Sequence, residues 1–344
     1  MFENSGFHKL YISNVVLNFT MKICIIKLGA LGDVVRTTPI LPAIKEKYPE
    51  SEITWITKKE SKEILEGNPD IKEILTIPVH NPNNFDIIYN FDIENEAIQL
   101  VNKIKADKKY GFYDNEGFPA AFDSGAEYYL NTVFDDQLKK SNRKTYQEMM
   151  FEIAGLKYKQ QKPTLYISNS SKQFAEDFLK KNGLKDTKII GINIGASSRW
   201  PSKSWSLEKL TEFIIKLSKL DYKIMLLGGV DEQSSMNKLS VMLNANDLKI
   251  YMADTSNSLK NFFAMVSICD KIITADSLAL HVALALNKPT IALFFVTSPY
   301  EIEGYNLLTK IISPKLNEFF PEKSDQYNKE LVNSISSEEV AKAV

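Results

Sequence analysis

The chain alternates, twice over, between short apolar runs rich in β-branched residues and stretches whose apolar residues recur at helical spacing. Runs at 22–27, 53–57, 73–78 and 85–91 are separated by helical patterns at 38–47 and 59–66, and a further helix runs on to residue 105. The rhythm then weakens and returns. Runs at 189–194, 223–227, 249–252, 271–274 and 290–295 bracket helical patterns at 206–220, 233–243, 259–266 and 278–286. In the first of these helices Leu207, Leu210, Phe213, Ile214, Leu217 and Leu220 share one face. Strands separated by helices of about ten residues build parallel βαβ units. The pattern therefore predicts an α/β chain of two doubly wound, Rossmann-like domains. The polar stretch 157–163, ending in Pro163, reads as the linker, giving domains at 21–160 and 161–344. Residues 1–20 precede the first convincing strand and read as an N-terminal extension outside the fold. The segment 111–142 mixes aromatics with Asp, Glu and Gly and reads as one long irregular stretch. A helix follows over 145–154, closed by Gly155.

Composition narrows the function. With 344 residues the chain is long for one core, which favours two domains. Its 42 Lys and Arg against 43 Asp and Glu leave a net charge of −1, so no global field points to nucleic acid. Cys24 and Cys269 both lie in apolar runs and read as inert core thiols, in keeping with a reducing compartment. No apolar stretch reaches the roughly 18 residues that span a bilayer. The first twenty residues carry a single lysine, and Asn14 and Asn18 interrupt their apolar residues, unlike a secretion signal. These features predict a cytoplasmic protein.

Two loops stand out, each where an apolar run gives way to a helix. The first is Lys27-Leu28-Gly29-Ala30-Leu31-Gly32-Asp33-Val34-Val35-Arg36-Thr37-Thr38-Pro39, and the second is Gly195-Ala196-Ser197-Ser198-Arg199-Trp200-Pro201-Ser202-Lys203-Ser204-Trp205. Ligands of open α/β sheets bind at such strand ends. Gly29 and Gly32 permit a tight turn, and Asp33 falls at a helix start, either as a helix cap or as a functional carboxylate. The first loop lacks the Gly-x-Gly-x-x-Gly of a dinucleotide site and the Gly-Lys-Ser/Thr of a Walker loop, which argues against a nicotinamide oxidoreductase or a nucleotide triphosphatase. Trp200 and Trp205 in a polar loop predict a packed segment, with Trp205 in the core.

The string from Lys27 through Ala43 resembles the N-terminal signature of glycosyltransferase family 9, the ADP-heptose:lipopolysaccharide heptosyltransferases. Further resemblances follow in order: Gly195 to Trp205, Leu226-Leu227-Gly228-Gly229-Val230-Asp231-Glu232, Ile273-Thr274-Ala275-Asp276-Ser277 with His281, and Thr297-Ser298-Pro299. The resemblance implies the GT-B architecture, two doubly wound domains facing across a cleft, and an inverting, metal-independent transfer. A heptose or related sugar would pass from a nucleotide-diphosphate donor, ADP-linked, to a hydroxyl of a lipopolysaccharide-like glycan acceptor, with no cofactor beyond the nucleotide-sugar co-substrate. On that resemblance Asp33 is the general base. Lys203 neutralises the leaving diphosphate, and Ser197 and Ser198 offer hydroxyls and amides to the phosphates. Glu232, or its neighbour Asp231, accepts from the ribose hydroxyls. Asn257 lies in the segment that lines the base pocket. Asp276 meets the donor sugar, and Ser277 and Leu278 follow at the phosphate turn. Gly29, Gly32 and His281 are supporting residues, the histidine through a structural bond to the loop.

The chain departs from the family pattern at Leu278, where the family has Gly, and at Phe295-Val296, where it usually has Gly-Pro. These departures motivate an alternative: a catalytically weakened GT-B scaffold that binds glycan or a protein partner. The acid-x-acid pair Asp92 and Glu94 at the end of 85–91 resembles the metal motif of the other large transferase fold, GT-A, against which no second GT-A half is present. The lysines at 103, 105, 108 and 109 and the basic run 139–144 are either a solvated face or a surface for a lipid-linked, anionic acceptor at the inner face of the cytoplasmic membrane.

Overall fold

The computed structural model describes residues 9–12, 15–18, 20–80, 82–195 and 199–344. The chain divides into two compact units, residues 1–166 and 167–344. Within the expected extension, β1 (Lys9–Ile12) and β2 (Val15–Asn18) pair antiparallel as a small sheet of their own.

The first unit is built on β3 (Lys22–Ile26), β4 (Glu52–Thr57), β5 (Glu73–Thr76), β6 (Phe85–Asn90), β7 (Ala106–Asn115) and β8 (Phe118–Ala121). Their order across the sheet is β5-β4-β3-β6-β7-β8, parallel except for the antiparallel β7–β8 pair. Ile23 to Ile26 are wholly buried. A parallel strand covered on both faces needs such an unbroken apolar run. Cys24, Ile26, Ile56 and Ile88 pack with Ala97 and Val101 of the helix Asn95–Lys103 in one cluster.

The second unit repeats the plan with β9 (Ile189–Asn193), β10 (Lys223–Leu227), β11 (Tyr251–Met252), β12 (Lys271–Ala275), β13 (Thr290–Phe294) and β14 (Leu308–Ile312). The order is β11-β10-β9-β12-β13-β14, all parallel. Leu210, Phe213, Ile214 and Leu217 of the helix Leu207–Leu217 bury against Ile190, Ile192 and Leu226. In both units the strand order reverses beside the first strand, between β3 and β6 and between β9 and β12. That reversal leaves a crevice at the carboxyl ends, where ligands of such sheets bind.

Three readings need correction. The stretch 111–142 is not irregular: β7 and β8 form a hairpin closed by a two-residue turn, with φ of 55° at Glu116 and 90° at Gly117. The helices Ser124–Phe134 and Asp136–Ser141 follow, capped by Asp123 and Asp135. Positive φ at both turn residues matches the twist of paired strands. Second, β14 closes the sheet of the second unit where no strand was expected. Third, Phe295 and Val296 lie in the core of the second unit, 0% and 1% exposed, so those departures are packing residues. Cys24 and Cys269 are free and buried, and burial pushes both thiols well up, as inert core thiols require.

Candidate functional site

In the first unit the loop after β3 is held from below by a buried ion pair. Lys27, 4% exposed, places its ammonium 3.3 Å from Asp92 and donates to the Phe91 carbonyl at 3.1 Å. Asp92 Oδ2 accepts from the amides of Leu28 at 3.0 Å and Gly29 at 2.6 Å, and Oδ1 accepts from the Glu94 amide at 3.1 Å. Burial pushes the Asp92 carboxyl up, but the Lys27 ammonium and these amides outweigh it and hold it below its ordinary value. Burial also opposes the charge on Lys27. Tyr146, Asp92, Asp33 and Tyr129 override it, and its pKa is raised well above the ordinary lysine value. Gly29 lets the loop sit close to the pair: a Cβ here would stand 3.1 Å from both the Asp92 carboxylate and the Lys27 ammonium, which would have to give way by a few tenths of an ångström. The acid-x-acid pair is thus spent internally: Asp92 fastens the glycine loop, and Glu94 pairs with Lys58 at 2.5 Å.

This loop delivers the helix Leu31–Thr37, with Gly32 and Asp33 in its first turn. Ala30 is the N-cap and no side chain caps the helix, so Asp33 is not a cap. The Asp33 side chain is 32% exposed. Its Oδ1 accepts from Arg36 Nε at 3.0 Å and lies 2.8 Å from a terminal nitrogen of the same guanidinium. The guanidinium carbon of Arg36 in turn lies over the ring of Tyr146, 3.8 Å from its centre. Tyr146 is 1% exposed, and its hydroxyl lies 2.8 Å from Thr37 Oγ1, which donates to the Asp33 carbonyl at 2.7 Å. Sequence reasoning missed Arg36 and Tyr146. The spacing of Asp33 and Arg36, three apart on a helix, was the visible signal; the tyrosine comes from a distant segment and left none.

In the second unit four strand ends carry the remaining candidates. After β9, Lys203 sits in a loop tied down on both sides. Ser202 accepts from the Asn328 amide at 2.8 Å and donates to the Gln326 carbonyl at 2.9 Å. Trp205, 9% exposed, donates from its indole to the Ile335 carbonyl at 3.1 Å, as expected of a core residue. Lys203 is therefore not a solvated surface lysine. Its side chain is 13% exposed, and its ammonium lies 3.6 Å from Asp276, which follows β12. His281, 7% exposed on the helix Leu278–Ala285, brings Nε2 to 3.8 Å from the other oxygen of Asp276. Asn193 braces the turn from β9, donating to the Gly195 carbonyl at 2.8 Å, to Thr274 Oγ1 at 3.3 Å and to Ser277 Oγ at 3.2 Å. Leu278, half-buried, opens the helix behind this turn. Ser197 and Ser198 lie outside the described residues.

After β10, Glu232 folds back so that its carboxylate accepts from the Gly229 amide at 2.8 Å. It also covers Gly195: a Cβ there would stand 2.8 Å from Glu232 Cδ. The loops following β9 and β10 therefore meet through this carboxylate, whereas Asp231 is exposed. After β11, Asn257 is half-buried and its side-chain nitrogen is buried without a hydrogen-bond partner. Thr297, after β13, likewise has a buried hydroxyl without a partner. Unmet buried donors of this kind cost free energy until a ligand or water meets them. Lys203, Glu232, Asn257, Asp276, Ser277, Leu278 and His281 thus all stand at carboxyl ends of one parallel sheet, and Gly29, Gly32 and Asp33 at those of the other.

Comparison with known proteins gives a consistent picture. The profile described as glycosyltransferase family 9 (heptosyltransferase) matches residues 81–331. The lipopolysaccharide core heptosyltransferase OpsX of Haemophilus influenzae is 25% identical over 305 residues, covering 85% of this chain and 84% of its own. Among solved structures, a family 9 glycosyl transferase from Veillonella parvula superposes with a TM-score of 0.74 at 21% identity, over 94% of this chain and 95% of its own. The E. coli ADP-heptose lps heptosyltransferase II does so at 0.67 and 18% identity, over 94% and 97%. These structural likenesses show the fold, two doubly wound α/β units of the GT-B kind.

Proposed function

Because this chain belongs to glycosyltransferase family 9, the heptosyltransferase family, we propose that it transfers a heptose, with inversion, from an ADP-linked donor to a hydroxyl of a lipopolysaccharide core. The named relatives support the sugar and the acceptor: OpsX is a lipopolysaccharide core heptosyltransferase, and the E. coli structure is an ADP-heptose enzyme. The observation that carries the donor half is the meeting of Lys203 and Asp276 at the reversal point of the second sheet, with Glu232 folded over Gly195 beside them.

In this reading the acceptor oxygen attacks the anomeric carbon from the face opposite the diphosphate. Asp33 takes the hydroxyl proton as the new bond forms. The bond from the anomeric carbon to the diphosphate oxygen breaks, and Lys203 compensates the charge that gathers on the leaving group. A fixed ammonium can do this without a divalent ion, so the reading needs no metal and no cofactor other than the nucleotide sugar. Glu232 accepts from the ribose hydroxyls, the unmet amide of Asn257 donates to the base, and Asp276 orients the sugar while His281 steadies it. Ser197 and Ser198 complete the phosphate contacts, and Ser277 with Leu278 shapes the turn behind them. The acceptor is a lipid-linked glycan at the inner face of the cytoplasmic membrane, where the basic residues 139–144 would meet its anionic groups. Among the described residues no helix is long and apolar enough to cross a membrane. Nothing favours the scaffold alternative, since Phe295 and Val296 are core residues.

Two measurements on the full chain test this. ADP should raise the melting temperature, and Lys203→Ala should remove that rise. Asp33→Asn should keep the rise but lose ~10²–10⁴-fold in kcat, the usual contribution of a positioned base. If no nucleoside diphosphate shifts the melting temperature, the donor assignment is wrong; if Asp33→Asn turns over normally, the base assignment is wrong.

A further inference from the structure

Arg36 is the charged side chain at hydrogen-bond distance from Asp33, and it is itself held. Its guanidinium is fixed on one face by the buried ring of Tyr146 at 3.8 Å and at its edge by Asp33 Oδ1 at 2.8 and 3.0 Å. The side chain is only 15% exposed. Tyr146 is the first residue of the helix Tyr146–Ile153, whose start is locked by a capping box between Thr145 and Glu148. Behind Tyr146 stands Tyr129, ring to ring at 6.3 Å. Gln147, next on the same helix, reaches the Arg36 carbonyl at 3.5 Å. A guanidinium stacked on an aromatic ring and donating through two nitrogens has little rotamer freedom left, so it aims the carboxylate that it holds.

We propose that Arg36, clamped by Tyr146, is a positioning residue that fixes the rotamer of Asp33 and favours its ionised form. The inference rests on the assignment of Asp33 as the base. Its chemistry has two sides. A cation at hydrogen-bond distance keeps the carboxylate charged as the pH falls, which preserves the proton acceptor. The same bonds occupy Oδ1 and so set the direction in which the other oxygen points. Lys27, Tyr129 and Tyr146 also act electrostatically on Asp33. The remaining charged side chains on elements packed against its helix are Lys59, Glu60, Lys62 and Glu63 on 59–65, and Glu148 and Glu152 on the Tyr146 helix. Of these, Lys62 pairs with Glu66, and Glu152 with Lys144.

The test is a carbon-13 NMR titration of the Asp33 carboxyl in the full-length protein, assigned by its loss in Asp33→Asn. In Arg36→Gln the Asp33 resonance should titrate at higher pH than in the wild type, and Arg36→Lys should bring it part of the way back. Tyr146→Leu, which removes the surface under the guanidinium, should move it in the same direction by less, and it serves where Arg36→Gln does not fold. Identical titration in the wild type and in every folded variant overturns the proposal. This readout needs no substrate, so it stands apart from the base assignment, which Asp33→Asn turnover decides. With ADP-heptose and a heptose-free lipopolysaccharide core, Arg36→Gln should also lower kcat about ten- to a hundredfold with KM little changed, and move the acid limb of the rate profile to higher pH. An unmoved limb with normal kcat would equally overturn it.

Discussion

The loop before Asp33 has its shape because one buried carboxylate satisfies three amides and one ammonium at once. Removing that carboxylate leaves Lys27 charged, buried and without its counter-ion, which costs about 3–5 kcal/mol when one member of a buried pair is deleted. Asp92→Asn should therefore lower the unfolding free energy from a urea titration by that much at neutral pH, and a variant within 1 kcal/mol (roughly the worth of an exposed pair) would contradict the buried-pair account. The pH dependence has a definite sign. The folded pKa of Asp92 lies below its unfolded value, so its contribution is complete above the ordinary carboxylate range, at about 4, and fades as the pH falls through the folded value. Wild-type stability should drop more steeply in acid than that of Asp92→Asn. Lys27 behaves oppositely: its pKa is raised, so its contribution holds below the ordinary lysine value of 10.5 and fades as the pH rises through the folded value. A second single-residue test lies in the other unit. In Gly195→Ala the new Cβ would stand 2.8 Å from Glu232 Cδ and push the carboxylate off its place. A carboxylate moved off the ribose loses a charged hydrogen bond, worth about 1.5–3 kcal/mol, so calorimetric ADP affinity should fall about ten- to a hundredfold. An unchanged affinity would remove Glu232 from the nucleotide site.

At the level of elements, the proposed clamp depends on the helix Tyr146–Ile153, since its first residue lies under Arg36. Its capping box satisfies both the Glu148 amide, at 3.2 Å from Thr145 Oγ1, and the Thr145 amide, at 2.6 Å from Glu148 Oε2. Thr145→Ala should cost about 1 kcal/mol in a urea titration and loosen the Tyr146 ring; an unchanged midpoint would mean the cap carries no load. This helix was legible because Thr145, Glu148 and Gly155 are start and stop residues that act locally. The buried parallel strands were legible for a related reason: each is a run of residues that only a doubly covered sheet can hide. The hairpin β7–β8 was not. Lys108 and Lys109 lie exposed and half-exposed in a strand whose pairing comes from β6 on one side and β8 on the other, so its conformation is imposed by neighbours. The site divides in the same way. The placement of the candidates Asp33, Lys203, Glu232 and Asp276 at strand ends could be read because a strand end followed by a helix start is a local pattern. The Arg36–Tyr146 clamp and the packing of Glu232 over Gly195 could not, because each depends on which distant segments the fold brings together.

Across the whole molecule the same strand order occurs twice, yet the two reversal points are furnished differently. The first is filled by its own buried pair, Lys27 and Asp92, which packs beneath the glycine loop, and Asp33, the proposed base, stands half-exposed beyond it. The second keeps unmet donors at Asn257 and Thr297 and holds Lys203 against Asp276, a cation that an incoming diphosphate would compete for. A nucleotide should accordingly be felt by one unit and little by the other. Hydrogen exchange on the full chain with saturating ADP tests this directly. Protection should rise at 193–195, 199–205, 228–233, 253–258 and 276–281, because bound ADP would cover these loops, add phosphate contacts to some of their amides and slow their local opening. The amides of 27–38 should hold their rates, since Leu28 and Gly29 already donate to Asp92 and ADP brings neither the transferred heptose nor the glycan acceptor to Asp33. Equal protection of 27–38, or protection there alone, would assign the nucleotide to the first unit and reverse the division of labour argued from these two crevices.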